Sequence, residues 1–257
     1  MKAVGHTGTL DPFATGLLVL LTGRATRLAR FVEQQAKTYL ATARLGFATT
    51  TDDATGEPVG DLAETGGVTE QEIAATLAGF VGPQQQTPPA YSAKKVGGER
   101  SYRKARRGEA VALAPVEVTV HELGLIALDH PLVTFRITVS AGTYIRALAR
   151  DLGDRLGTGG HLTALRREAI GPLRVEDAIP LADLDTATSL VPLRSILRQL
   201  PSTELDEAER VGVGHGRPVE REESAEAFVV LTHQGDIVAV ARQDGGWLRP
   251  VVVLDGP

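Results

Sequence analysis

The chain has 257 residues, enough for one large domain or for a medium and a small one, and its 42% hydrophobic and 23% charged residues are ordinary for a globular protein. It has no cysteine, which excludes disulfide scaffolds, thiol catalysis and thiolate zinc sites, and no apolar run approaches the length of a bilayer-spanning helix. A net charge of −5 argues against indiscriminate coating of nucleic acid but leaves room for a local basic face.

Near the amino terminus, Gly5-His6-Thr7-Gly8-Thr9-Leu10-Asp11-Pro12-Phe13-Ala14-Thr15-Gly16-Leu17-Leu18 brackets one carboxylate with three glycines and a proline. Glycine permits positive φ and close approach by a ligand, while Pro12 fixes its own φ and pushes Asp11 toward an extended conformation. The apolar run from Leu17 to Leu21 would anchor the far end of this loop in a core, leaving Asp11 on a rigid, water-accessible rim. Asp-Pro also starts ordinary turns, and an aspartate before a short apolar run also caps helices, so the local pattern leaves both readings open. As the core of an export signal that run is short, and His6, Asp11 and Pro12 precede it where a basic region should be; the expected location is the cytoplasm.

Residues 24–34 place Leu28, Phe31 and Val32 at helical spacing, with Arg24, Arg27 and Arg30 turned elsewhere. Residues 38–46 read as a strand with Tyr39 near its beginning, and the Thr-, Asp-, Glu- and Gly-rich stretch from Thr49 to Gly67 reads as a surface loop. Thr69-Glu70-Gln71-Glu72 is a capping-box pattern, and Ile73, Leu77 and Phe80 form the apolar face of a helix expected to pack on the sheet.

In residues 83–110, Pro83, Pro88 and Pro89 argue against regular structure before Tyr91. Then come Lys94, Lys95, Arg100, Arg103, Lys104, Arg106 and Arg107, interrupted only by Glu99 and Glu109 and interleaved with Tyr91 and Tyr102. A charge run is often just a solvated face. Basic residues mixed with aromatics and a Gly-Gly turn, in an otherwise acidic chain, fit an element that grips phosphates and stacks on bases, which points to RNA.

Val116, Val118 and Val120 alternate with polar residues, as do Val133, Phe135, Ile137 and Val139, giving two half-buried strands. Helices that do not alternate one for one with strands imply an α+β fold with a mixed, mainly antiparallel sheet. After Ser140-Ala141-Gly142-Thr143-Tyr144-Ile145-Arg146 a helix turns Ile145, Leu148, Leu152 and Leu156 inward, leaving Arg146 and Arg150 on other faces. By position alone Arg146 is a surface arginine, and His161 in the segment Gly159 to Arg167 is a structural histidine with no chemistry. Residues 176–200 look helical and linker-like, punctuated by Pro180, Pro192 and Pro201. From residue 204, Gly212, Gly214 and Gly216 and then Phe228–Leu231, Ile237–Ala241 and Trp247–Leu254 read as short strands of a small β-barrel, so the expected domains are 1–200 and 204–257.

The Gly5–Leu18 stretch closely resembles the signature loop of the tRNA pseudouridine(55) synthases. Tyr91-Ser92-Ala93-Lys94-Lys95 followed by Gly97 or Gly98, then Gly142-Thr143-Tyr144-Ile145-Arg146, then the segment from Gly159 to Arg167, resemble further blocks of that family, so the similarity covers nearly all of residues 4–175. Residues 204–257 resemble, less specifically, the RNA-binding PUA-like module of many bacterial members. The resemblance implies the pseudouridine synthase fold, isomerisation of one uridine in the T loop of tRNA, a T stem-loop partner, and neither cofactor nor metal; a monomer is expected. It makes Asp11 the catalytic acid and Arg146 its ion-pair partner, with Tyr39 as the active-site tyrosine on which a flipped uracil stacks. Tyr144 would be a second contact, His6 would help hold the flipped-out conformation and Leu165 would supply apolar wall. Lys94, Lys95, Arg103, Arg106, Arg107, Arg166 and Arg167 would meet the RNA backbone.

One departure stands out. Family members carry a preceding segment with Asp-Lys-Pro followed by Gly and Ser or Thr, whereas only Met1-Lys2-Ala3-Val4 come first here. A misplaced start, a naturally short chain and a truncated one all remain open, and with them an unpaired sheet edge and a tRNA-binding or RNA-folding module without catalysis.

Overall fold

A computed structural model describes residues 3–92, 94–109, 113–185, 188–222 and 226–255; Ala93 of the second sequence block and the side chain of Lys95 lie outside what is described. The chain forms two compact units, one of Leu10–Leu17 with Ala36–Ala169, the other of Met1–Thr9, Leu18–Gln35 and Ile170–Pro257.

The first unit is built on strands β1 (Lys37–Leu45), β2 (Gly82–Gln86), β3 (Val116–Asp129), β4 (Leu132–Val139) and β5 (Gly160–Ile170), in the spatial order β5-β1-β4-β3-β2. The β1–β4, β4–β3 and β3–β2 pairs are antiparallel. Along β1 every second residue is buried, so Tyr39, Ala41, Ala43 and Leu45 face the core, as period-2 alternation requires. On the opposite face Thr38 and Thr42 meet Thr138 and Thr134 of β4, hydroxyl to hydroxyl, at 3.0 Å in each pair.

Helix α1 (Glu70–Ala78) begins at the expected capping box: Glu72 N–H donates to Thr69 Oγ1 at 3.2 Å and Thr69 N–H donates to Glu72 Oε2 at 2.8 Å. Ile73, Leu77 and Phe80 are buried against the sheet together with Leu148 and Leu152 of the helix Ile145–Arg155. Full burial of a side chain such as Phe135 contributes about 1.5–3 kcal/mol.

Pro83 and the Thr49–Gly67 stretch both depart from expectation. Pro83 does not break regular structure; it lies in β2, paired with Thr119, on the sheet edge where a missing N–H is tolerated. The Thr49–Gly67 stretch is not wholly a surface loop either. Ala48–Thr49 pairs with Pro58–Val59, and Thr49, Asp52 and Asp53 are buried, because two arginines on the neighbouring helix supply charge partners. The basic helix α2 (Ser101–Arg106) and helix α3 (Ile145–Arg155) complete this unit.

In the second unit, β6 (Ser202–Glu204), β7 (Val219–Glu220), β8 (Phe228–His233), β9 (Asp236–Asp244) and β10 (Trp247–Val253) form a sheet ordered β6-β8-β9-β10-β7 that curls into a half-barrel. The glycines Gly212 and Gly214, expected in strands, instead belong to helix α4 (Glu207–Gly214), started by a capping box between Asp206 and Glu209. The amino-terminal strand Val4–His6 pairs with Leu20–Thr22, and the following turn is tied to the end of the chain by Arg24 and Arg27, which donate to the Leu254 and Val253 carbonyls at 2.8 and 2.6 Å. Phe31 meets Phe228 edge to face at 5.2 Å.

Candidate active site

Asp11 opens a four-residue turn closed by Ala14 N–H donating to the Asp11 carbonyl at 2.9 Å, with Pro12 at the position where its fixed φ is favoured. Phe13 and Ala14 pack on the core. Thr15 and Gly16 then run parallel to β5, opposite Arg166 and Arg167. Gly16 has φ +98°, and a Cβ there would lie 2.2 Å from the Arg167 carbonyl oxygen, so only glycine fits. Leu17 N–H donates to the Arg167 carbonyl at 2.8 Å while Arg167 Nε donates to the Leu17 carbonyl at 2.7 Å. The acid therefore projects from a loop fastened at its far end.

Arg146, in the first turn of α3, is buried rather than directed to the surface, with its side chain 8% exposed against 31% for Asp11. Its Nε donates to Asp11 Oδ2 and its Nη2 to Asp11 Oδ1, both at 3.0 Å, a two-pronged pair. Nη2 also donates to the Tyr91 carbonyl and Nη1 to the Thr51 carbonyl, each at 3.0 Å, and Nη1 lies 3.4 Å from Asp53 Oδ2. The guanidinium is thus satisfied on every side, which is what makes burying it tolerable.

Asp53, Asp52 and Arg150 were missed in the sequence. Asp53 Oδ1 accepts from Thr51 Oγ1, Thr55 N–H and Thr55 Oγ1 at 2.8, 2.9 and 2.5 Å. Arg150 Nη1 donates to Asp52 Oδ2 at 2.8 Å, and burial pushes the Asp52 carboxyl above its ordinary range while Arg150 and Arg146 pull it back. The available signal was the four-residue spacing of Arg146 and Arg150, which puts both on one helix face.

Tyr39 and Leu165 are both buried in the core cluster on which Phe13 and Ala14 pack. Burial raises the Tyr39 hydroxyl above its ordinary value; the positive charge of Arg167 opposes that shift and the negative charge of Asp11 adds to it. Tyr144 is clamped by Gln86: its N–H donates to Gln86 Oε1 at 2.8 Å and its carbonyl accepts from Nε2 at 3.0 Å. His6 lies in the other compact unit, exposed on the Val4–His6 strand. His161 is buried, its Nδ1 3.0 Å from the Phe47 carbonyl oxygen and its ring beside Phe47, a structural arrangement.

Of the residues expected on the RNA backbone, Arg103 and Arg106 are exposed on α2 and lie over the Tyr102 ring, Arg166 is exposed on β5, and Lys94 is half-buried. Arg107 is also exposed, but its charge is already met by Glu99 and Glu109 at 2.6–2.8 Å. Arg167 must be corrected. It is 1% exposed, because strand alternation on β5 turns it inward where Arg166 turns out, so it faces Leu17 and Tyr39 instead of a phosphate.

Residues 1–145 match the TruB family pseudouridylate synthase N-terminal domain, residues 146–200 the tRNA pseudouridylate synthase B C-terminal domain, and residues 200–255 the tRNA pseudouridine synthase II C-terminal region. The chain is 42% identical to the tRNA pseudouridine synthase B of Thermobifida fusca over 264 residues, covering 99% of this chain and 90% of that protein. It is likewise 42% identical to the protein of that name from an Arthrobacter species over 272 residues, covering 98% and 88%. In fold it resembles the structure of a Cbf5-Nop10-Gar1 complex, with TM-score 0.72 and 24% identity over 96% of this chain and 71% of that one. It also resembles an H/ACA RNP bound to a substrate RNA containing 2′-deoxyuridine, with TM-score 0.74 and 21% identity over 98% and 76%.

The protein is therefore a pseudouridine synthase, an isomerase, with the α+β fold of that class. Within the class, the chain belongs to the TruB family.

Proposed function

We propose that the chain converts uridine 55 in the T loop of tRNA to pseudouridine, binding the T stem-loop as a monomer in the cytoplasm. The observation that carries this reading is the two-pronged Arg146 fork on Asp11, which fixes the carboxylate while leaving it partly open to solvent on a fastened loop. The net reaction breaks the N1–C1′ bond, turns the uracil over and joins C5 to C1′; the C5 proton is lost and N1 gains one. It consumes neither electrons nor phosphate energy. Asp11 acts as the anion, attacking sugar or base or stabilising charge as the bond breaks.

The target must leave its stack, at a cost of about a few kcal/mol, and stacking on an aromatic ring returns about 1–3 kcal/mol. Tyr39 supplies that ring, Tyr144 a second contact, Leu165 apolar wall and His6 a hold on the flipped-out loop. Arg103, Arg106 and Arg166 meet phosphates, and residues 204–257 act as a PUA-like RNA-binding module. A binding module without catalysis is not favoured, because the matching family and the named relatives are synthases.

The test is incubation with unmodified T-arm RNA followed by mapping of pseudouridine. Product at position 55, lost when that uridine is replaced by cytidine, is expected; product elsewhere, or none, overturns the reading.

A further inference from the structure

Two arginines one helical turn apart on α3 cross-link the same two segments of chain. Arg146 reaches the Thr51 carbonyl through Nη1 and the Tyr91 carbonyl through Nη2. Arg150 repeats the pattern one turn along: Nη1 donates to Asp52 Oδ2 at 2.8 Å and Nη2 to the Thr87 carbonyl at 3.0 Å. Residues four apart on a helix sit one above the other, so the second bridge lies behind the first. Arg150 is itself aimed by Asp151, whose Oδ1 accepts from its Nε and Nη2 at 3.0 and 2.8 Å.

Asp52 is the residue on which the loop turns. Its φ is +59°, the left-handed region, its N–H donates to the Thr49 carbonyl at 3.2 Å and its carbonyl accepts from Leu162 N–H at 3.0 Å. That turn presents the Thr51 carbonyl and the Asp53 carboxylate, on either side of it, to Arg146. The side chains of Arg150 and Asp52 are only 22% and 12% exposed, so this is not the solvated kind of ion pair that contributes little.

We propose that Arg150 and Asp52 are positioning residues for pseudouridine formation: their bridge holds the Thr51–Asp53 loop and the Thr87–Tyr91 segment at the spacing that keeps the Arg146 fork on Asp11. The inference rests on the reading that Asp11 and Arg146 serve the reaction. Neither Arg150 nor Asp52 touches Asp11 in the hydrogen bonds and ion pairs they make, so their effect passes through Arg146.

The experiment uses the full chain and unmodified T-arm RNA, measuring kcat, KM, RNA affinity by filter binding and thermal melting for Arg150→Gln, Arg150→Lys and Asp52→Asn. Small displacements of reacting groups cost up to about a hundredfold, so kcat for Arg150→Gln should fall by about tenfold to a hundredfold with KM and RNA affinity within about twofold. Arg150→Lys, which keeps a cation opposite Asp52, should recover part of the loss. In an Arg146→Lys background, Arg150→Gln should cost less than about threefold more, because residues acting through one another are not additive. Should Arg150→Gln not fold, Asp52→Asn carries the comparison, since Asn tolerates the left-handed backbone. Unchanged kcat, a lower melting temperature alone, or an equal penalty in both backgrounds overturns the inference while wild-type turnover leaves the Asp11 reading standing; no turnover by the wild type overturns that reading itself.

Discussion

Arg146 meets Asp11 across 135 positions of sequence with two parallel hydrogen bonds of 3.0 Å, the arginine nearly buried and the acid facing outward. Under the proposed function this asymmetry leaves the acid available to a substrate. The cation is fixed by the Thr51 and Tyr91 carbonyls and by Asp53, so it polarises Asp11 without following it, and Asp11 keeps an open side toward a substrate.

Replacing Asp11 with Asn removes the anion but preserves the shape of the loop. RNA affinity should persist while turnover falls by about a thousandfold or more, as for other groups that act directly on the reacting atoms. Arg146→Lys should also lose about a hundredfold, since a point cation cannot reach both carboxylate oxygens and the two carbonyls together. Single-turnover assays with saturating enzyme separate these losses from binding; an active Asn variant would end the assignment of Asp11.

Arg166 and Arg167 are neighbours in sequence with opposite surroundings. Arg166→Ala and Arg103→Ala should each lower the salt dependence of RNA binding by about one unit of log–log slope. Arg167→Met should leave that slope intact and reduce stability, because its buried guanidinium donates to the Leu17 carbonyl inside the protein. Titration of affinity against salt, beside thermal melting, distinguishes the two outcomes.

Gly16→Ala places a methyl against the Arg167 backbone in a left-handed conformation. Such strain costs about 1–3 kcal/mol, and relieving it would shift the turn that carries Asp11. A lower melting temperature together with at least about a tenfold loss of kcat is expected; wild-type kinetics would mean that the loop is less tightly held than its hydrogen bonds imply.

Thr69→Ala removes the cap of α1 and should lower stability by about 1 kcal/mol. The Glu72 carboxyl is held below its ordinary 4.5 by the Thr69 N–H and hydroxyl. A lowered carboxylate pKa stabilises the folded state above the unfolded value, and that contribution disappears as pH falls from about 4.5 through the folded value. The difference in melting temperature between wild type and Thr69→Ala should therefore narrow on acidification through that window. A constant difference would place the cap's contribution elsewhere than in the Glu72 carboxylate.

Much of this is legible in the sequence. Strand β1, the capped helix α1 and helix α3 follow from period-2 and period-3.6 spacing, because a residue's burial in such elements is set by its neighbours along the chain. The spelling of the loop around Asp11 and of the Tyr144–Arg146 block carried the family, and with it the expected partnership of acid and arginine. Local pattern erred where a side chain's partner lies far away. Arg167, read as a phosphate ligand, turned inward because strand alternation aims it at Leu17; Asp52 and Asp53, read as solvated, were buried because Arg150 and Arg146 of α3 stand over them. The amino-terminal arginines Arg24 and Arg27 found their acceptors at Leu254 and Val253, at the opposite end of the chain. A charged side chain enters a protein interior only when hydrogen-bond and charge partners are already placed to receive it, and those partners are brought together by folding rather than by adjacency in sequence.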